Sequence, residues 1–104
     1  MAEESLKDLI FNYFNVTFPI TGGNGNSIDG AIVVEVDKPE DGVTMEYAIL
    51  GYIHKLGNKQ WTVEKRQTLT HNGKTIDKLQ IVIADEPEVY HNYYFDITRF
   101  YSNW

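Results

Sequence analysis

The dipeptide Asn72-Gly73, in the stretch HNGK, is the local feature that most restricts the fold of this chain. Asn and Gly both tolerate a positive φ angle, and the favoured two-residue turn of a β-hairpin needs positive φ at both central positions. The flanking segments 61–69 and 75–85 carry apolar residues at the two-residue period of a half-buried strand. The sequence therefore predicts a hairpin here, closed by a two-residue turn or a slightly longer bulged one.

Apolar alternation assigns faces to the predicted strands, because successive side chains of a strand point to opposite sides. In the first strand, the apolar residues that share one face are Trp61, Val63 and Leu69. In the second, Leu79, Ile81 and Ile83 share one face, with Ile76 and Val82 on the other. A third strand is predicted at 93–98, after a turn or longer loop at 86–92.

Two segments carry apolar residues at helical spacing. The first covers about residues 3–14, and Pro19 prevents its continuation because proline lacks a backbone N–H. The second is 43–56, where a helix is favoured over a strand because strict alternation fails at Glu46. Gly57 is expected to end this second helix.

The stretch ITGGNGNSIDG, residues 20–30, holds four glycines and two asparagines. A phosphate-binding P-loop requires Lys-Ser or Lys-Thr after the last glycine, and the dinucleotide fingerprint requires a glycine where Ile28 stands. The stretch is interpreted as a bend of the chain, with an anion-binding nest of backbone N–H groups, centred on the loop 21–27, as the alternative. A strand is predicted next at 31–36, followed by a turn at 37–42.

Together these elements predict one α+β domain over residues 1–104, with element order α-β-α-β-β-β. Two helices are expected on one face of a mostly antiparallel four-stranded sheet, because that arrangement buries the apolar stripes. A length of 104 residues fits one domain.

Composition narrows the classes of function. The chain has no cysteine and a formal net charge of −6. The acidic N-terminal segment does not resemble a signal peptide, and no apolar run is long enough for a membrane span, so a cytoplasmic protein without a membrane partner is expected. A nucleic-acid partner is disfavoured by the overall charge, although a basic segment holds Lys55, Lys59, Lys65 and Arg66.

Four stretches of the chain resemble a group of small uncharacterised bacterial proteins: GGNGNSIDGAIVVE, DGVTMEYAIL, QTLTHNGKTIDKLQI and YYFDITRF. The shared features are a Gly-rich turn before the first strand, a Gly-x-x-x-Glu-Tyr segment and a Tyr-Phe-Asp-Ile-x-x-Phe ending. The resemblance spans roughly residues 17–100. It supports the element order and implies no activity, cofactor or site residue.

No catalytic, cofactor-binding or metal-binding residue is assigned from the sequence. The three histidines match no metal-ligand spacing, and the acids of 37–42 lack the EF-hand pattern. Glu46 and Tyr47 would be candidate acid–base groups only if they faced a pocket.

The aromatic C-terminal region leads to the functional hypothesis. Aromatic residues are enriched at protein interfaces, and an acidic rim can steer a basic partner. The candidate partner-binding residues are Tyr90, Tyr93, Tyr94, Phe100, Tyr101, Trp104, Asp85, Glu86 and Glu88. The favoured function is a non-enzymatic interaction module that binds another protein or itself, of which an immunity or antidote protein is one form. The alternative is a small-ligand-binding protein, or a small enzyme, that uses a pocket between helices and sheet.

Overall fold

The computed structural model describes residues 5–56 and 59–103 and has an α+β fold, as predicted. Its helices are α1 (Leu6–Phe14), α2 (Pro39–Leu56) and α3 (Thr98–Tyr101). Its strands are β1 (Ile20–Gly22), β2 (Ile32–Val34), β3 (Trp61–His71), β4 (Lys74–Ile83) and β5 (Glu86–Asp96).

Within the described part of the chain, the sheet has five strands in the order β1-β2-β5-β4-β3. Strands β2 and β5 are parallel, and the other three neighbouring pairs are antiparallel. Residues 5–56 and 59–103 form a five-stranded mixed sheet with three helices, which corrects the predicted four-stranded, mostly antiparallel sheet with two helices. Strand β1 and helix α3 were not predicted because they have only three and four residues, too few to show a period.

The predicted hairpin is confirmed, with Asn72 and Gly73 as the two turn residues. Their φ angles are 51° and 75°, and His71 pairs with Lys74 across the turn. Positive φ at both positions is the geometry that matches the twist of the flanking strands.

A β-bulge in β3 changes which side chains face the helices. Val63 pairs with Ile81 and Lys65 pairs with Gln80, so β3 advances two residues while β4 advances one. Beyond the bulge, the face that began with Trp61 and Val63 continues with Arg66 instead of an odd-numbered residue. The prediction that Leu69 shares a face with Trp61 and Val63 is therefore wrong. Leu69 pairs with Ile76 on the other face of the sheet.

Helix α2 is confirmed, but it begins at Pro39, inside the segment interpreted as a turn. Proline is well tolerated in the first turn of a helix, where its missing N–H costs nothing. Glu40 and Asp41 lie in the same turn, where the helix dipole favours negative charge. The predicted terminator Gly57 is outside the described residues.

Helix α1 begins after Ser5, whose side chain accepts a hydrogen bond from the backbone N–H of Asp8 at 3.1 Å. It ends at Asn15, which has a φ of 57°. Residues 3 and 4 of the predicted helix are outside the described residues.

The helices pack on one face of the sheet around a single apolar cluster, as predicted. Each helix contributes buried residues, among them Ile10, Ile49 and Phe100. The buried members from the strands and from the residue after β5 are Ile20, Ile32, Val34, Leu79, Ile81, Phe95 and Ile97.

The Gly-rich stretch folds back on itself. The N–H of Gly23 donates to Ala31 and that of Gly25 to Gly30, while the carbonyl of Gly25 accepts from the N–H of Tyr94 on β5. Several N–H groups that an anion nest would need are thus used within the protein. These bonds support the interpretation as a bend that ties the loop to the sheet.

The segment 86–92, predicted as a turn or loop, belongs to β5 instead. The strand was not recognised because its pairing with β4 is irregular. Val82 pairs with Tyr90, but the next residue, Ile83, pairs with Glu86. Pro87 and the exposed residues around it interrupt the alternation that would reveal a strand.

Candidate functional site

A cleft of about 440 Å³ opens between β3, β4 and the C-terminal segment. Its lining residues are Arg66, Thr68, Asp77, Ile97 and Tyr101. The volume falls within the range of small-molecule pockets, roughly 300–1,000 Å³. The cleft combines charged, hydroxyl, aliphatic and aromatic groups.

The Arg66 guanidinium joins two buried carboxyl groups beside this cleft. Its Nη2 donates to Glu46 Oε1 at 2.6 Å and contacts Asp77 Oδ2 at 2.9 Å. The Glu46 side chain is fully buried and that of Asp77 is 3% exposed, whereas the Arg66 side chain is 33% exposed. Glu46 and Asp77 are called the carboxyl pair below.

The fold brings these three residues together from three elements. Glu46 lies on the buried stripe of α2, one helical turn before Ile49 and Leu50. Asp77 continues the inward face of β4 that holds Leu79. The bulge in β3 turns Arg66 onto that same face, where a long side chain can reach Asp77 diagonally across the strands.

The pKa of Glu46 is raised from 4.5 to about 9. Burial is the largest cause, since it disfavours the charged form, and the hydrogen bond and negative charge of Asp77 act in the same direction. Arg66 lowers the pKa but does not offset the other effects. Glu46 is therefore protonated at neutral pH.

The proton on Glu46 accounts for two otherwise unpaired oxygens. Glu46 Oε2 and Asp77 Oδ1 are buried, and neither has a hydrogen-bond partner within the described ranges when both groups are treated as carboxylates. A proton on Oε2 makes Glu46 a donor, and Asp77 can accept it. The carboxyl pair then holds one proton and one negative charge, which the Arg66 cation balances.

The C-terminal segment that lines the cleft, residues 97–101, is hydrogen-bonded to β4 near Thr98. The backbone N–H of Thr75 donates to Thr98 Oγ1 at 3.0 Å, and that hydroxyl donates to Asp96 Oδ1 at 2.6 Å. The N–H of Ile97 donates to the carbonyl of Thr75 at 2.9 Å. These bonds hold Tyr101, which is 43% exposed, at the side of the cleft.

Four of the predicted partner-binding residues come together at the β4–β5 tip, defined here as residues 85–90. Tyr90 is 57% exposed, and Val89 beside it is 46% exposed. The exposed acids of the tip are Asp85, Glu86 and Glu88. Asp85 also lies 3.4 Å from the ammonium group of Lys59.

The other predicted residues are dispersed. Phe100 is fully buried in the core, and Tyr93 is half-buried with its ring edge-on to His54. Tyr94 lies on the face of the sheet away from the helices, with the Lys78 ammonium 5.9 Å from its ring centre. Tyr101 lines the cleft, and Trp104 lies outside the described residues.

Within residues 5–56 and 59–103, no three His, Asp or Glu side chains gather as a metal site requires. No helix in the same ranges combines the length and the hydropathy needed to cross a membrane.

Comparison of the chain with protein-family models, curated proteins and solved structures found no match.

Of the three residues Glu46, Asp77 and Arg66, the sequence pattern alone places the first two on inward faces. Glu46 precedes Ile49 and Leu50 at helical spacing, which places it on the apolar stripe. Asp77 has the same parity as Leu79, which places it on the inward face. Arg66 has no such signal, because the bulge that turns it inward leaves no mark in the residue pattern.

Proposed function

We propose that the protein binds a small, uncharged polar molecule in the cleft. The observation that supports this most strongly is the position of Arg66: its side chain is 33% exposed, lines the cleft, and is held by two buried carboxyl groups. Perturbed ionisable groups that meet in a cleft are more frequent at functional sites than elsewhere.

Stability alone is a weak reason for such a cluster. Removing two carboxyl groups and a guanidinium from water carries a large desolvation cost, and well-packed apolar residues often stabilise a core equally well. Both contacts to the carboxyl pair use Arg66 Nη2. The guanidinium carries further N–H donors on Nη1 and Nε, and in the proposed site these donors bind the ligand.

The charge of the site favours an uncharged ligand. One proton on the carboxyl pair leaves a single negative charge, which Arg66 neutralises, so the site has little net attraction for an ion. The hydroxyl of Thr68 can donate or accept, and the ring of Tyr101 offers an apolar surface. A ligand that combines carbonyl or hydroxyl groups with an apolar face matches this set.

Binding is proposed in preference to catalysis because of where the proton lies. The protonated carboxyl belongs to Glu46, which is fully buried and is not among the lining residues of the cleft. A general acid must come within hydrogen-bond reach of the reacting group. Of the carboxyl pair, only Asp77 is among the lining residues that a ligand would contact.

The test is a fragment screen that follows the backbone amide signals of the ¹⁵N-labelled protein. Uncharged amides, alcohols and saccharides should produce saturable shifts at the lining residues, and carboxylates, phosphate and amines should bind more weakly. Absence of cleft shifts with every class would contradict the proposed function.

A pair of threonine variants provides a matched comparison in that screen. Thr68→Val removes a hydroxyl from the cleft, and Thr62→Val makes the same change at an exposed β3 position on the opposite face. Loss of one hydrogen bond costs roughly 1 kcal/mol, or about a fivefold weaker affinity, so only Thr68→Val should weaken binding. Equal affinities in the two variants would exclude a role for the Thr68 hydroxyl.

A further inference from the structure

A buried histidine, His54, lies where the C-terminal end of α2 packs on the sheet. Its exposed fraction is 5%. The His54 ring stacks on the indole of Trp61 on β3, with 5.5 Å between ring centres and 25° between ring planes. The ring of Tyr93 on β5 lies nearly perpendicular to it, with 5.7 Å between centres. One imidazole thus connects the helix to two strands.

A hydrogen bond within α2 fixes the tautomer of the neutral His54 ring. Nδ1 lies 2.7 Å from the carbonyl oxygen of Leu50. Because a carbonyl oxygen can only accept, Nδ1 carries the hydrogen and donates it. The proton that His54 takes up on acidification must therefore go to Nε2, which is bare in the neutral ring.

A second histidine increases the cost of placing positive charge in this region. His91 on β5 pairs with the buried Ile81, so it shares the inward face of the sheet with Tyr93. Its Nε2 is buried and has no hydrogen-bond partner among the described atoms. A proton on His91 opposes a second proton on His54, because the two charges repel each other.

In the part of the chain that the structure describes, no carboxylate forms an ion pair with His54. Glu86 lies in the same row of the sheet as Trp61, but it is exposed. Asp85 beside it is also exposed, and it contacts the ammonium group of Lys59 at 3.4 Å. These acids are placed in water and do not enter the layer between helix and sheet.

Two further ionisable groups adjoin His54, and neither neutralises a cation. Lys55 is itself a cation, and its ammonium lies 5.6 Å from the ring centre of Phe14 on α1. Burial raises the pKa of the Tyr93 hydroxyl, which therefore stays neutral at acidic and neutral pH. Among the described groups, an added proton on His54 thus meets no compensating negative charge.

Burial lowers the pKa of His54 from its ordinary value of 6.5, because the charged ring loses its hydration. The bond to Leu50 favours the charged ring, and the indole of Trp61 attracts a cation, but the shift remains downward. The neighbouring His91 lowers the pKa further. Acid therefore favours any state of the protein in which the His54 ring reaches water.

Helix α2 can respond locally, because its middle is buried more deeply than its C-terminal end. Ile49 and Leu50 are fully buried in the core, whereas Tyr52 and Ile53 beyond them are only partly buried. Local opening occurs most readily where few apolar contacts hold an element. His54 can therefore leave the interior together with the last turns of α2 while the middle of the helix stays in place.

We propose that His54 makes this contact pH-sensitive: its neutral ring holds the C-terminal end of α2 on β3 and β5, and its protonated ring releases that end into solvent. The release uncovers Trp61 and Tyr93, so acidification exposes an aromatic surface. Because the opening takes up one proton, the open population should rise by up to about tenfold for each pH unit below 6.5.

The test is amide hydrogen exchange of the ¹⁵N-labelled protein between about pH 4.5 and pH 7.5, with each rate divided by the intrinsic rate at the same pH. The protection of amides 53–56 should fall by up to about tenfold per pH unit below 6.5. Their exchange should also depend little on urea, because a local opening exposes little surface. A urea dependence equal to that of the amides of β4 would show that only global unfolding responds, which would overturn the proposal.

Two variants assign the proton to His54. His54→Phe keeps a ring beside Trp61 but cannot be protonated, so the protection of amides 53–56 should no longer depend on pH. His71→Phe is the matched control at the hairpin turn, and it should retain the pH dependence of the unmodified chain. Persistence of that dependence in His54→Phe would overturn the proposal.

The ring C–H signals of His54 give a second readout that needs no variant. They should titrate with a midpoint below 6.5, and the indole N–H signal of Trp61 should shift with the same midpoint. A His54 midpoint at or above 6.5 would contradict the proposal. None of these results bears on ligand binding in the cleft, so the proposed function is tested separately.

Discussion

Arg66 on β3 donates through Nη2 to Glu46 on α2 at 2.6 Å, which joins an edge strand of the sheet to the longest helix of the fold. The same nitrogen contacts Asp77 on β4 at 2.9 Å. One guanidinium therefore connects a helix and two strands, and it does so beside a cavity.

Replacement of Glu46 by Gln tests whether this carboxyl is protonated in the folded protein. Gln has the shape of protonated Glu: its carbonyl can accept from Arg66 and its amide can donate to Asp77. The folded pKa of Glu46 is about 9 against an ordinary value of 4.5. Between these values the folded protein holds a proton that the unfolded chain has released, so rising pH lowers the free energy of unfolding.

The Gln variant lacks this titration. Its free energy of unfolding relative to the wild type should therefore increase steadily as the pH rises from about 4.5 to 9, as measured by urea denaturation at several pH values. A difference that does not change with pH would show that Glu46 does not hold the proton.

Removal of Arg66 should be strongly destabilising. In Arg66→Met the apolar stem is retained, but the two buried carboxyl groups lose their positive partner. Breaking a buried pair costs roughly 3–5 kcal/mol, and the partial exposure of Arg66 places the expected loss near the lower end. The matched control is Arg99→Met, because Arg99 and its partner Asp37 are exposed, and its unfolding curve should change little. Equal effects would contradict the importance of burial.

Two glycines of α2 should respond in opposite ways to alanine. A Cβ atom at Gly42 would overlap the ring of the buried Phe100, whereas a Cβ at Gly51 has no atom within 4 Å among those described. Gly42→Ala should therefore destabilise the fold by about 1–3 kcal/mol through overpacking. Gly51→Ala should stabilise it by up to about 1 kcal/mol through helix propensity. Thermal unfolding of both variants checks the assignment of each helix face.

The hairpin turn depends on backbone conformation alone at Gly73. Its φ of 75° is unfavourable for a β-branched residue, although no described atom lies within 4 Å of an added Cβ. Gly73→Val should lower the melting temperature because of this strain, whereas Gly73→Asn should be tolerated better, since Asn adopts positive φ more readily. A melting temperature equal to that of the wild type in the Val variant would count against the turn.

Patterns with a short period made most of the fold predictable. The Asn72-Gly73 hairpin, the second helix and the inward stripe of Leu79 and Ile81 all follow from local residue order. The parallel pairing of β2 with β5 joins residues about sixty positions apart, such as Ile32 and Phe95, so no local pattern contains it.

The site was harder to predict because it depends on an irregularity. Glu46 and Asp77 can be placed on inward faces by their spacing, but Arg66 reaches them only because the bulge after Val63 reverses the parity of β3. A regular strand would have directed Arg66 to the face of the sheet away from the helices. The predicted partner-binding residues do not form one surface. Alternation along β5 places Tyr93 and Tyr94 on opposite faces of the sheet.

The side-chain Nε–H signals of arginine test the central claim most directly, because the chain contains only Arg66 and Arg99. The fragment that gives the largest shifts at the cleft should be titrated while both signals are followed. The proposed function predicts a saturable shift of the Arg66 signal and a constant Arg99 signal, since Arg99 donates through Nε to Asp37 and is not among the lining residues of the cleft. A constant Arg66 signal at saturating ligand would contradict binding at the guanidinium.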